Sequence, residues 1–448
     1  MRGRDGGPVV IVGAGVAGLT LAELLVSQGV PTIVVEREPR PGGLARSFTY
    51  DGFTFDIGPH RFHTYLPAVE RYIRGVLARD LREINRSSKL HFRGRFYPWP
   101  LHPSRTFLRF PVGVALSVLR DLVVGYPKSD GSSFKDQIIN MYGNTLYRTF
   151  FEGYSTKFLG IPPEHTHSDW ARTGVDRAII DSRLKIQSLW LLVWTVLTTW
   201  RKPEMGFLYP RGGCEVFIHN LRRRFEEAGG ELMCGREIEE LEVGDGRIGA
   251  VRVGERFIHP ALVVWTGTVH SLATALGRIP PDLSYLPLVC YNVKLTDGRP
   301  FDFQWCYHGA DDVLFSRVSV PASFDPATTP PGRRSLCVEV TCGGDGAIWE
   351  DPGSAVDRIV GDLGREGLIA SEAEVEGVET ERIPWAYPVY EIAYRERLAA
   401  FQEVADRYDN LILGGRLGRF WYNNMDHCIE SSQGMAEEIL ARLGPDRG

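Results

Sequence analysis

The chemistry-bearing residues gather at the two ends of the chain. Near the C-terminus, residues 414–426 read "GGRLGRFWYNNMD", lying between the apolar run 410–413 and a helix-like segment. A glycine pair lets backbone approach a ligand closely. The guanidinium of Arg416 beside it is suited to an anion held by charge-assisted bonds. Near the N-terminus, "VVIVGAGVAG" carries Gly13-x-Gly15-x-x-Gly18 directly after an apolar run and before the helix-like "LTLAELLVSQG". There Gly13 permits a tight turn, Gly15 admits a pyrophosphate against the backbone and Gly18 lets helix pack on strand. The helix start would face the phosphates with its partial positive charge.

The elements around the first motif raise its specificity. A second strand, "PTIVVE", ends in Glu36, placed to accept hydrogen bonds from a ribose. Just beyond, Arg40-x-Gly42-Gly43 brings a second glycine pair within reach of the same pyrophosphate. That arrangement resembles the FAD-binding proteins of the amine oxidase, protoporphyrinogen oxidase and UDP-galactopyranose mutase group. The resemblance implies FAD rather than NAD.

Composition excludes several classes. With 448 residues, two or three domains are expected. A formal net charge of -5 gives no basic field for nucleic acid. The cysteines at 214, 234, 290, 306, 337, 342 and 428 show no zinc-ligand or dithiol spacing and suit a reducing compartment. The expectation is a cytoplasmic protein with no metal.

Between the ends the pattern changes twice. Residues 90–101 alternate as a strand pair around Gly94, and residues 104–200 carry apolar and aromatic residues at helical steps. From 207 the chain reads strand, glycine turn, amphipathic helix and strand, with a parallel-type strand at 261–268. Residues 284–347 hold short β-like runs, and the tail is strand, glycine turn, helix. The predicted fold is therefore α/β: a discontinuous doubly wound, Rossmann-like domain (1–80, 205–275 and 395–448). A helical domain (102–204) and an antiparallel β-sheet domain (81–101 and 276–394) are inserted. On that fold the glycines 414 and 415 come beside the dinucleotide, with the helix after Asp426 pointing at it.

A more specific resemblance runs along almost the whole chain. "DIGPHRFHT", "FRGRFYPWP", "EGYSTKFLG", "YPRGG", "WTG", "YPVYE" and "GGRLGRFWYNNMD" occur in the order and approximate spacing of UDP-galactopyranose mutase. The resemblance implies reduced FAD, a nucleotide-sugar substrate and a homodimer. It implies pyranose/furanose isomerisation, the flavin N5 attacking the anomeric carbon while the nucleoside diphosphate leaves and returns. Carried over residue by residue, Arg317 and Arg416 hold the diphosphate, and His60 lies against the flavin. Tyr154, Tyr387, Tyr422 and Asn423 meet the substrate, while Gly415 and Met425 join the cofactor set. Residue type alone leaves Arg317 open to a surface role, His60 to a core role and Tyr387 to packing. Leu159 stands where the family carries tryptophan, and Asn423 and Asn424 replace tyrosine and aspartate. The competing expectation is an amine-oxidase-like oxidoreductase working with oxidised FAD.

One apolar stretch, 186–200, is flanked by basic residues. It is too short and too interrupted for a span of about 20 residues. A buried or interface helix is expected there rather than a membrane anchor.

Overall fold

The computed structural model describes residues 6–99, 112–124, 129–171, 206–343 and 346–444. The segment 186–200 lies outside them. Among the described residues no helix is long and apolar enough to cross a membrane.

The run Val9–Val12 becomes the central strand of a five-stranded parallel sheet, because residues apolar on both faces need cover from both sides. The strand order is Leu411–Leu413, Leu262–Trp265, Val9–Val12, Thr32–Glu36 and Glu231–Cys234, every pairing being parallel. Three stretches far apart in sequence thus build one sheet. The helix Val16–Val26 is buried on almost every side, as its unbroken apolar sequence requires. It packs between the helices Glu215–Glu227 and Met425–Leu443, forming one core on one side of the sheet. The strand at Gly206–Pro210 departs from expectation. It pairs antiparallel with Leu81–Asn85 in a separate ribbon, and only the helix and strand after it join the parallel layer.

The second sheet has seven strands, ordered Val375–Pro388, Tyr285–Leu295, Arg334–Thr341, Arg317–Ser319, Trp305–His308, Ser88–Phe92 and Arg95–Trp99. It is not wholly antiparallel. The hairpin around Gly94 reaches the sheet from far upstream and docks Ser88–Phe92 parallel to Trp305–His308. Helices Phe134–Tyr142 and Glu152–Leu159 pack beside it, the first started by Ser133, whose hydroxyl accepts from the Asp136 N–H. The largest core joins the remaining face of the parallel sheet to this sheet and these helices.

Candidate functional site

A cleft of about 2060 Å³, measured out to its open mouth, runs from the C-terminal ends of the parallel strands to the seven-stranded sheet. Its first half is built from backbone. Gly13 has φ +100°, and a β-carbon there would sit 2.5 Å from Thr266 Oγ1. At Gly18 a β-carbon would lie 1.9 Å from the Gly13 carbonyl oxygen, so only glycine seats the helix on the strand. Gly15 differs, because a β-carbon there would meet nothing nearer than Gly42 O at 4.0 Å. The protein's own packing does not require glycine at 15, but a pyrophosphate lying on the backbone does.

The second glycine pair lies against the first loop. The Gly42 N–H donates to Ala14 O at 2.8 Å, and Gly15 and Gly42 form an isolated parallel bridge. Gly42 and Gly43 both have positive φ, +125° and +54°. Glu36 is buried at its strand end and accepts from the N–H groups of Ala14 at 2.7 Å and Glu38 at 2.9 Å. Each carboxylate oxygen retains a lone pair for a ribose. Gly415, at φ +67°, fits between Ala17 and Thr266, each 3.2 Å from a built β-carbon. Met425 opens the helix Met425–Leu443, whose start also lines the cleft.

The other half is built from side chains. Arg317, Arg416 and Arg61 all line it, with His60, Tyr307, Tyr387, Tyr422 and Asn423. Arg317 is not a surface residue. Its Nε and Nη2 each meet a Glu339 oxygen at 2.5 Å, and Nη2 also donates to the Tyr387 hydroxyl at 3.0 Å. Burial alone would lower its pKa, but the Glu339 carboxylate and Tyr387 hold it well above the ordinary value. Arg416 donates to the carbonyl oxygens of Ala386 at 2.9 Å and of Asn423. Its guanidinium lies 5.6 Å and 5.1 Å from the ring centres of Tyr387 and Tyr422. Arg61 sits over Trp305 at 4.6 Å, its Nη1 donating to Pro59 O, and its Nε is buried with no partner. Neither Arg61 nor Arg416 has a carboxylate within 4 Å among the described residues.

That charge shapes its neighbours. Burial, then Arg416 and Arg317, push the His60 pKa down to about 3, so the imidazole is neutral, and its Nδ1 is buried without a partner. Burial raises the Tyr387 and Tyr422 hydroxyls above their usual range despite the arginines, so both remain protonated. Asn423 Nδ2 is a third buried polar atom without a partner. Three residues lining one cleft, His60, Arg61 and Asn423, thus each carry a polar atom without a partner, which fits a site for a ligand with charge and hydrogen-bonding groups.

Two predicted residues lie elsewhere. Arg40 does not line the cleft; its side chain is half exposed, 3.7 Å from Glu215. Tyr154 stands one ring behind, edge-on to Tyr307 at 5.5 Å. Leu159 is core, and the ring that stacks on Tyr422 is Trp170, at 4.8 Å and 14°. Arg61, Tyr307 and Glu339 were missed. Arg61 had a signal: a lone basic residue inside the apolar, aromatic run "GPHRFHT". The expected lack of any metal-ligand cluster also needs correction, because the fold joins His91, His308 and Glu366, which no spacing reveals.

Fold and cleft together define a dinucleotide-binding α/β protein with an added seven-stranded sheet. A family model, NAD(P)-binding Rossmann-like domain, matches residues 11–76. The resemblance to the mutases holds in structure: a reduced UDP-galactopyranose mutase superimposes with a TM-score of 0.83 at 19% identity, covering 97% of this chain and 94% of that one. A curated dTDP-fucopyranose mutase of Escherichia coli is 24% identical over 437 residues, 95% of this chain and 96% of its own length. A lycopene-forming phytoene desaturase of Pseudescherichia vulneris is 24% identical over 295 residues, 60% of this chain, and the match spans 58% of its length.

Proposed function

We propose that the chain is a flavin-dependent mutase that interconverts the pyranose and furanose forms of a nucleotide sugar, using reduced FAD. One observation carries this reading. Arg61 and Arg416 bring positive charge into the cleft that also holds the dinucleotide cradle, with no carboxylate within 4 Å of either among the described residues and a longer-range attraction from Asp426 on Arg61. Charge drawn out of water without an ion-pair partner is costly, and a diphosphate is a group that two such forks neutralise.

Gly13, Gly15, Gly18, Glu36, Gly42, Gly43, Gly415 and Met425 would hold the FAD, with Arg40 near its outer edge. The bound cofactor, when reduced, would supply the nucleophile for the anomeric carbon. The chain's own part is binding and charge. Arg416 and Arg61 take the diphosphate, and Arg317, locked by Glu339, presents its remaining Nη1 edge. As the diphosphate departs it gains charge, so these guanidiniums act more strongly on the transition state than on the bound substrate. Tyr387 and Tyr422 donate from protonated hydroxyls, and Tyr154 backs Tyr307. Neutral His60 and Asn423 offer hydrogen bonds to the sugar or cofactor without adding charge. Tyr422 lines the cleft and is held in place by Trp170 stacked on it.

The similarity to phytoene desaturases supports a second reading, an oxidoreductase using oxidised FAD on an apolar substrate. Such a substrate would leave both arginines unpaired. The test is product analysis after dithionite reduction, with UDP- and dTDP-hexopyranoses offered in parallel. The mutase reading expects a furanose product that forms only when the enzyme is reduced. Turnover of a polyene or amine by the oxidised enzyme, with no ring contraction, would favour the alternative.

A further inference from the structure

We propose that His91, His308 and Glu366 form a binding site for one divalent transition-metal ion of the zinc class, behind the sheet wall that carries Tyr307 into the cleft. His91 and His308 are register partners across the parallel pair Ser88–Phe92 and Trp305–His308, their rings 5.3 Å apart. Glu366 follows the helix Val356–Arg365 and reaches both. Each imidazole Nδ1 lies 2.5 Å from the same carboxylate oxygen, Oε2. All three ligand atoms fall within 4.8 Å of one another, and the two histidines are buried.

The donor set is the one zinc and its neighbours prefer: two neutral imidazoles and one carboxylate, with a fourth position left for water or another donor. Ligand atoms about 2.0–2.2 Å from a tetrahedral ion stand roughly 3.4 Å apart, so Oε2 would retreat by about 1 Å from each ring. Read instead as a hydrogen-bonded triad, the cluster places two N–H donors on one oxygen.

Strand alternation explains the location. His308 and Tyr307 are adjacent and so point to opposite sides of the sheet. Tyr307 lines the cleft and is paired in register with Arg317. An ion behind it would fasten the edge hairpin and the helix Val356–Arg365 to that strand, so its role is bracing rather than chemistry.

The experiment uses the full-length protein, stripped with a chelator, dialysed and titrated with Zn²⁺ or Co²⁺. One equivalent should bind per chain, with Co²⁺ giving visible absorption bands. The unfolding midpoint should rise by about 3 °C at a hundredfold excess over Kd. Glu366→Gln, which keeps the volume and some hydrogen bonding, should weaken binding at least about tenfold, as should the paired change His91→Gln with His308→Gln. FAD content should be unchanged in all of them. If the wild type takes up no stoichiometric metal, or no more than Glu366→Gln, the cluster is a hydrogen-bonded triad and the proposal falls. The wild-type titration decides this alone, so a variant that fails to fold does not rescue it.

Discussion

The two halves of the cleft are made of different material. The dinucleotide half is backbone: glycines, N–H groups and helix starts, with Glu36 held by two amide donors. The opposite half is side chain: three guanidiniums, a neutral imidazole and three tyrosines from five separate segments. A backbone site is fixed by packing and tolerates few substitutions, yet leaves its ligand's chemistry generic. A side-chain site can be retuned one residue at a time, which is how one fold can serve different chemistries.

The contrast can be broken most severely at Glu339. Its replacement by alanine strands the buried Arg317 charge and should cost about 3–5 kcal/mol of stability, measured by denaturant unfolding. Replacing Arg317 and Glu339 together by Met and Leu should recover most of that loss. A single variant as stable as wild type would show that the pair is not an uncompensated charge problem.

The glycines sharpen the backbone side. Gly18→Ala drives a β-carbon into the Gly13 carbonyl and should cost about 1–3 kcal/mol or more, with the cofactor lost as a consequence. Gly15→Ala brings its β-carbon no nearer than 4.0 Å to any protein atom, an ordinary contact with Gly42 O. It should leave the apoprotein as stable as wild type while cofactor affinity falls. Equal thermal destabilisation by both changes would mean that Gly15 serves the fold and not the ligand.

The pH response reads the side-chain half. With a folded pKa of about 3 against an ordinary value near 6.5, His60 binds a proton in the unfolded chain before the folded one. Its contribution to stability is therefore present above about pH 6.5 and is lost as pH falls, by about 2 kcal/mol between pH 7 and pH 5. The difference between wild type and His60→Asn should show this slope. A bound diphosphate should flatten it by neutralising the arginines. A pH-independent difference would contradict the assignment.

The smallest effect is expected from Tyr387→Phe, which removes one hydroxyl that accepts from Arg317. About 0.5–1.5 kcal/mol should be lost from nucleotide binding, seen in titration calorimetry, with the fold intact.

Legibility in the sequence follows the same division. The strand–glycine–helix start, Glu36 and the glycine pair at 42–43 lie within a few tens of residues, so local spacing exposed them. The fold class was legible because the apolar period changes along the chain. Arg416 was legible beside its glycine pair, Arg317 emerged only through whole-chain resemblance, and that resemblance gave Arg61 no role. Glu339 was invisible because its partner faces it across two strands, a relation that exists only once the register is set. The parallel docking of Ser88–Phe92 was hidden for the same reason, as was the joining of His91, His308 and Glu366.

The central claim is that Arg61 and Arg416 bind a diphosphate opposite the cofactor. Calorimetric titration of the flavin-loaded protein with UDP and dTDP tests it most directly, using wild type, Arg416→Ala and Arg61→Ala. Each variant should lose a charge-assisted bond of about 1.5–3 kcal/mol, roughly a ten- to hundredfold rise in Kd, with FAD content near wild type. A wild type that binds neither nucleotide, or two variants that bind both as tightly as wild type does, would contradict the account.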